Sequence, residues 1–126
     1  GMYTVSVTRS FVAQHYLTVP NPGPEGELHS HQFTAEITFR GPELGEYGYL
    51  VEIDAVIQAV EAVVDSFRDQ TPKELAAFGG LNTSAEHFAR IFAGRLTDRL
   101  TPEPATELRV ALQEDDVATV SHTHPL

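Results

Sequence analysis

The chain contains no cysteine. That excludes a disulfide framework and a thiolate nucleophile. Lysine is almost missing too. Lys73 is the only one, and the formal net charge is −10. Nucleic acids and anionic membranes demand a basic surface, so neither is an expected partner. A highly anionic substrate would need several of the arginines to converge. No apolar run is long enough to span a bilayer, and there is no signal-peptide pattern, so a cytoplasmic location is expected. Gly1-Met2 reads as an addition ahead of the native start. The length, 126 residues, suits one domain with a real core. The hydrophobic share, 41%, is ordinary for a globular protein.

Periodicity orders the elements. Tyr3, Val5 and Val7 alternate with Thr4, Ser6 and Thr8, and this strand pattern continues through Phe11 to His15. Residues 20–26 are rich in Pro and Gly and read as a loop. A second strand is expected over His29–Arg40, with Phe33, Ala35, Ile37 and Phe39 on its inner face. Residues 41–48 form a turn region, and Tyr49-Leu50-Val51 is expected as a short edge strand. The period then becomes helical. Ile53, Val56, Ile57, Val60, Val63, Val64 and Phe67 form one apolar stripe. Thr83-Ser84-Ala85-Glu86 has the form of a capping box with Glu86 at its third helical position, and Phe88, Ile91, Phe92 and Leu96 line the helix that follows. Residues 108–112 and 117–120 flank the acidic turn Glu114-Asp115-Asp116, a hairpin signal. The expected fold is therefore α+β, in β-β-α-α-β-β order, with an antiparallel sheet and both helices on one face.

Histidine carries the chemical signal. His29-Ser30-His31 lies on a strand, where alternate side chains share a face. His15 on the neighbouring strand would complete a three-nitrogen cup. Three imidazoles with an open fourth position suit a catalytic Zn2+. The spacing also fits plain half-exposed histidines with no ligand.

Several short motifs together resemble the 6-pyruvoyl-tetrahydropterin synthase / 6-carboxy-tetrahydropterin synthase family. Phe11-Val12-Ala13-Gln14-His15 is similar to its F-x-A-x-H, and His29-Ser30-His31 to its H-G-H. Gly48-Tyr49-Leu50-Val51-Glu52 resembles its G-x-V-x-D, and Thr83-Ser84-Ala85-Glu86 the segment opening its second helix. Glu114 falls where the family has a Glu on the penultimate strand. The resemblance covers nearly all of residues 1–126, read as a single domain. It implies the tunnelling fold, or T-fold, whose subunits form barrels as homotrimers or homohexamers. It implies zinc on His15, His29 and His31. It further implies a dihydropterin substrate, of the dihydroneopterin triphosphate type, held by Ser84, Glu86 and Glu114. The reaction class would be a lyase acting on the pterin side chain.

Two departures bear on the chemistry. The family's proton-transferring Cys stands four residues before H-G-H, and Glu25 occupies that position here. A subgroup of the family carries Glu there and cleaves the side chain to a hydroxymethyl product. A carboxylate near zinc can take a proton if burial raises its pKa. Glu25 and Glu27 are equally explained as solvated loop charges. The family's Asp-His pair after the first helix is reduced to Asp69, because Arg68-Asp69-Gln70 contains no His. A non-catalytic pterin- or purine-binding protein and a metal-binding structural oligomer are the alternatives. Glu86 can act as a helix cap alone, and Glu114 as a turn acid. His87 is expected on the surface. His122 and His124 repeat the H-x-H spacing in a tail that is expected to be mobile and unligated.

Overall fold

The computed structural model describes residues 1–15, 29–67 and 84–126, and at 13–15 and 29–31 it describes the course of the backbone. Strand β1 (Tyr3–His15) pairs antiparallel with β2 (His29–Gly41), from Tyr3 opposite Gly41 to His15 opposite His29. Strand β3 (Glu107–Glu114) lies on the far side of β2, and β4 (Ala118–Pro125) follows it. The sheet order is β1-β2-β3-β4. Helices α1 (Ile53–Phe67) and α2 (Ala85–Thr97) lie between β2 and β3 in the chain. The expected T-fold order is therefore present.

Alternation decides the two faces of the sheet. Phe11, Phe33, Ala35, Ile37, Phe39, Leu108, Val110 and Leu112 are buried beneath the helices. The opposite face is polar. There Ser6 Oγ meets Thr38 Oγ1 at 2.9 Å, and Ser10 Oγ meets Thr34 Oγ1 at 3.1 Å. Arg40 pairs with Glu107 at 3.4 Å and Arg109 with Glu36 at 3.8 Å on that same face. These pairs are partly exposed, so each contributes at most about 1 kcal/mol.

Burial along α1 differs from the expected stripe. The inward residues are Val56, Ala59, Val60, Val63, Val64 and Phe67. Ile53 and Ile57 are 52% and 42% exposed. Period alone gives the side of a helix that is apolar, not which part of that side a neighbour covers. Ala59, too small to draw notice in the sequence, takes the inward position instead. On β1, Arg9 reaches across to α1, where its Nε donates to Glu61 Oε1 and its terminal nitrogen to Oε2 at 3.3 Å.

Residues 49–51 are not a strand. The backbone closes a turn there, with the Gly45 carbonyl accepting from Gly48 N and the Tyr49 carbonyl accepting from Gly45 N. Gly48 has φ 82°, a conformation that glycine adopts without a Cβ penalty. Leu50 and Val51 are buried instead of pairing at an edge. Their apolar character, the reason for expecting a strand, is satisfied by the core.

The chain end is not a mobile tail. Residues 118–125 form β4, in register with β3 from Glu114 opposite Ala118 to Glu107 opposite Pro125. The tight turn before it has Asp115 and Asp116 at φ 50° and 59°, and Glu114 O accepts from Val117 N at 3.0 Å. Aspartate tolerates this left-handed region better than most residues, which explains the acidic turn.

Helix α2 carries one internal glycine. A Cβ added at Gly94 would meet nothing within 4 Å. Glycine inside a helix costs roughly 0.5–1 kcal/mol relative to alanine. Gly94→Ala is expected to raise the denaturant midpoint by an amount equivalent to roughly 0.5–1 kcal/mol. A lowered midpoint would mean that another surface covers Gly94 in solution.

Candidate functional site

One end of the sheet gathers the expected site positions. Phe11 faces Phe33 across the β1–β2 ladder, and both are buried on the helix-covered face. By alternation, positions 13, 15, 29 and 31 continue that face. The register sets Ala13 opposite His31 and His15 opposite His29. Facing Cα atoms in such a ladder are about 4.5–5.5 Å apart, and diagonal neighbours about 7–8 Å. The three histidine positions thus form a small triangle at the end of the β1–β2 pair.

Phenylalanines build the floor beside it. Phe33 and Phe88 meet edge to face, with ring centres 5.1 Å apart. Phe11 stacks on Phe33 at 5.8 Å and approaches Phe88 at 6.1 Å. Phe67, the last residue of α1, lies 4.8 Å from Phe88. This cluster brings the end of α1 and the start of α2 to the same end of the sheet. Arg95 holds the pair of helices from the side. Its guanidinium lies 4.5 Å from the Phe67 ring centre and donates to Ser66 Oγ at 2.9 Å. Burial lowers its pKa, and the nearby Arg99 lowers it further.

The first turn of α2 differs from the expected capping box. Ser84, not Thr83, is the N-cap, and its Oγ accepts from His87 N at 3.2 Å. Glu86 therefore stands at the second helical position rather than the third, and it is exposed. The third position holds His87, which is half-buried rather than on the open surface. A Glu at the third position could return a hydrogen bond to the cap, but here no such residue is present. Glu86 still complements the helix dipole, a contribution of about 0.3–1 kcal/mol. Capping therefore falls to Ser84 and leaves the Glu86 carboxylate available for another partner.

Glu114 closes the arrangement. It is the last residue of β3, stands opposite Phe33, and is half-buried. Its register matches the helix-covered face, two residues along β2 from the position of His31. Asp115 continues the contact, since its backbone N donates to Gln32 O and its Oδ1 accepts from Gln32 N at 3.2 Å. The structure thus brings Ser84, Glu86 and Glu114 to the end of the sheet that carries His15, His29 and His31. Glu25 and Asp69, the expected proton-transfer residues, lie outside the described residues. Among the described residues no group of three His, Asp or Glu side chains could hold a metal.

His122 and His124, expected in a mobile tail, are part of the sheet instead. Both lie on β4, with ring centres 6.1 Å apart. The signal was present as alternation: Val120, His122 and His124 against Thr119, Ser121 and Thr123.

Comparison with known proteins bears on the fold and the family. No curated relative matches the chain. A solved Caenorhabditis elegans 6-pyruvoyl tetrahydropterin synthase superposes with TM-score 0.80 at 14% identity, covering 98% of this chain and 96% of that one. The Plasmodium vivax 6-pyruvoyltetrahydropterin synthase gives TM-score 0.79 at 13% identity, covering 100% and 99%. That protein has also been solved as catalytic-residue mutants in which a glutamate is replaced by alanine or cysteine. An uncharacterized protein from Wolinella succinogenes gives TM-score 0.70 at 12% identity, covering 96% and 97%. At such identities the superpositions speak for the fold alone. The sequence model described as 6-pyruvoyl tetrahydropterin synthase matches residues 4–125. With all of the β-β-α-α-β-β unit except Tyr3 inside that match, the chain belongs to the 6-pyruvoyl tetrahydropterin synthase family.

Proposed function

We propose that this protein is a zinc-dependent lyase acting on the side chain of a dihydropterin. The observation that carries the reading is the strand register that puts positions 15, 29 and 31 on one face at one end of β1–β2. The donor set suits zinc, because three neutral imidazoles leave one position open. Bound there, zinc would polarise oxygens of the substrate side chain and acidify the adjacent C–H. The remaining work falls to the chain itself. Glu114 and Glu86 would accept hydrogen bonds from ring N–H groups and fix the pterin, with Ser84 beside them. Glu25 would take the proton from the side-chain carbon, and Asp69 would assist its transfer. The glutamate named as the catalytic residue of the Plasmodium vivax relative supports a carboxylate in this role.

The site would be completed by assembly. Strands β1 and β4 are the two edges of the sheet. Edge strands invite pairing with another chain, and barrel closure removes them. A homotrimer or homohexamer is expected by light scattering at micromolar concentration, and a monomer would contradict it.

The test of the function is direct. Protein purified without chelator should carry zinc and convert a dihydropterin, followed by the loss of substrate absorbance and by mass of the product. Binding of the dihydropterin without conversion would favour the second reading, a non-catalytic pterin-binding protein. The sequence feature behind that reading is the absence of His after Asp69.

A further inference from the structure

The three-histidine end leaves the second H-x-H pair without a role. Strand β4 sets His122 opposite Val110 and His124 opposite Leu108, so both belong to the helix-covered face. Each is half-buried. Their rings stand side by side, 6.1 Å between centres and 52° between planes. Among the described residues no hydrogen bond or ion pair engages either imidazole. With no protein partner among the described residues, the ring nitrogens are available to a ligand.

The ring separation permits one shared ion. A metal bound at 2.0–2.1 Å from a ring nitrogen lies about 3.2 Å from the ring centre. Two rings on one ion can therefore have centres up to about 6.4 Å apart, and about 5 Å at a tetrahedral angle. The observed spacing lies within that reach and needs about one ångström of closure. Both residues are partly exposed, so an ion can reach the rings from solvent. The pair is also remote from the first site. His122 is level with Val110 and Ile37, and His31 lies six residues further along β2, about 20 Å away.

The geometry points to a second, independent metal site in which His122 and His124 together chelate one divalent transition-metal ion of the zinc, nickel or copper class. Burial, then His124, then Arg90 lower the His122 pKa. Arg90 acts against the cation as well, so the site is weaker than a three-histidine one.

The full chain, stripped of metal, should be titrated calorimetrically with Ni2+ or Zn2+. His122→Ala/His124→Ala is expected to take up one equivalent fewer than the parent, with unchanged fold by circular dichroism. Equal stoichiometry in the two proteins would overturn the proposal. His29→Ala/His31→Ala is expected to keep the weaker equivalent. Should that variant fail to fold, carbethoxylation of the parent gives the same information. Ni2+ should protect His122 and His124 from modification, read by peptide mass. Equal modification with and without Ni2+ would overturn the site. Arg90→Glu should tighten the second equivalent by about tenfold, since a repulsive charge becomes an attractive one. An unchanged affinity would place the ion elsewhere.

Discussion

His31→Ala is expected to reduce tightly bound zinc from about one ion per chain to none, and to abolish turnover with it. The register explains why one residue suffices. Position 31 is the corner of the triangle that lies nearest β3, opposite Ala13 on β1. Removing it leaves two ligand positions, 15 and 29, paired across one ladder. Two ligands hold a borderline ion far less firmly than three. Stability offers a second readout. A ligand that binds only the folded state adds about 4 kcal/mol when present at a thousand times its Kd. The zinc-loaded parent should therefore melt well above the stripped parent, while His31→Ala should melt at one temperature with or without zinc. Elemental analysis after dialysis and two thermal scans decide the matter. A His31→Ala protein that retains its zinc, or a parent that never binds it, would remove the metal from the mechanism.

Much of this arrangement was legible because strand periodicity and helix periodicity leave different marks. Phe33, Ala35, Ile37 and Phe39 announced the buried face of β2, and each is fully or almost fully buried. Phe88, Ile91, Phe92 and Leu96 announced the inner face of α2 equally well. The misreadings arose where local pattern was overruled by neighbours. Tyr49-Leu50-Val51 looks like strand because apolar and aromatic residues prefer sheets, yet Leu50 and Val51 find their burial in a turn that closes over the core. Thr83 and Ser84 offer two possible caps one residue apart, and no sequence rule decides between them. The choice matters, since it moves Glu86 by one position, a rotation of about 100° around the helix. His122 and His124 lie near a chain end, where mobility is common, but β3 supplies a complete ladder for them. The candidate site was legible only from motif order, because His15 stands fourteen residues before the His29/His31 pair.

The proposed catalytic base, Glu25, gives the sharper test of mechanism. Glu25→Gln is expected to bind zinc and a dihydropterin as the parent does, yet to lose turnover by roughly a hundredfold or more, the usual contribution of a general base. The amide keeps the shape of the side chain and cannot accept the proton. Glu27→Gln should change little, because it lies two residues nearer the histidine pair and off the family position. Glu86→Ala and Glu114→Ala should behave differently from Glu25→Gln, raising KM through lost ring contacts. For Glu86 the structure simplifies the reading. Ser84 makes the cap, so truncating Glu86 removes only a dipole interaction worth about 0.3–1 kcal/mol. Its melting temperature should therefore stay close to that of the parent while ligand affinity falls. Ser84→Ala is the complementary control, since it should cost about 1 kcal/mol of stability through the lost cap. Measuring kcat, KM and melting temperature across these variants separates base, ring anchor and cap. Equal kcat in Glu25→Gln and the parent would take Glu25 out of the proton path and leave Asp69 as the remaining candidate.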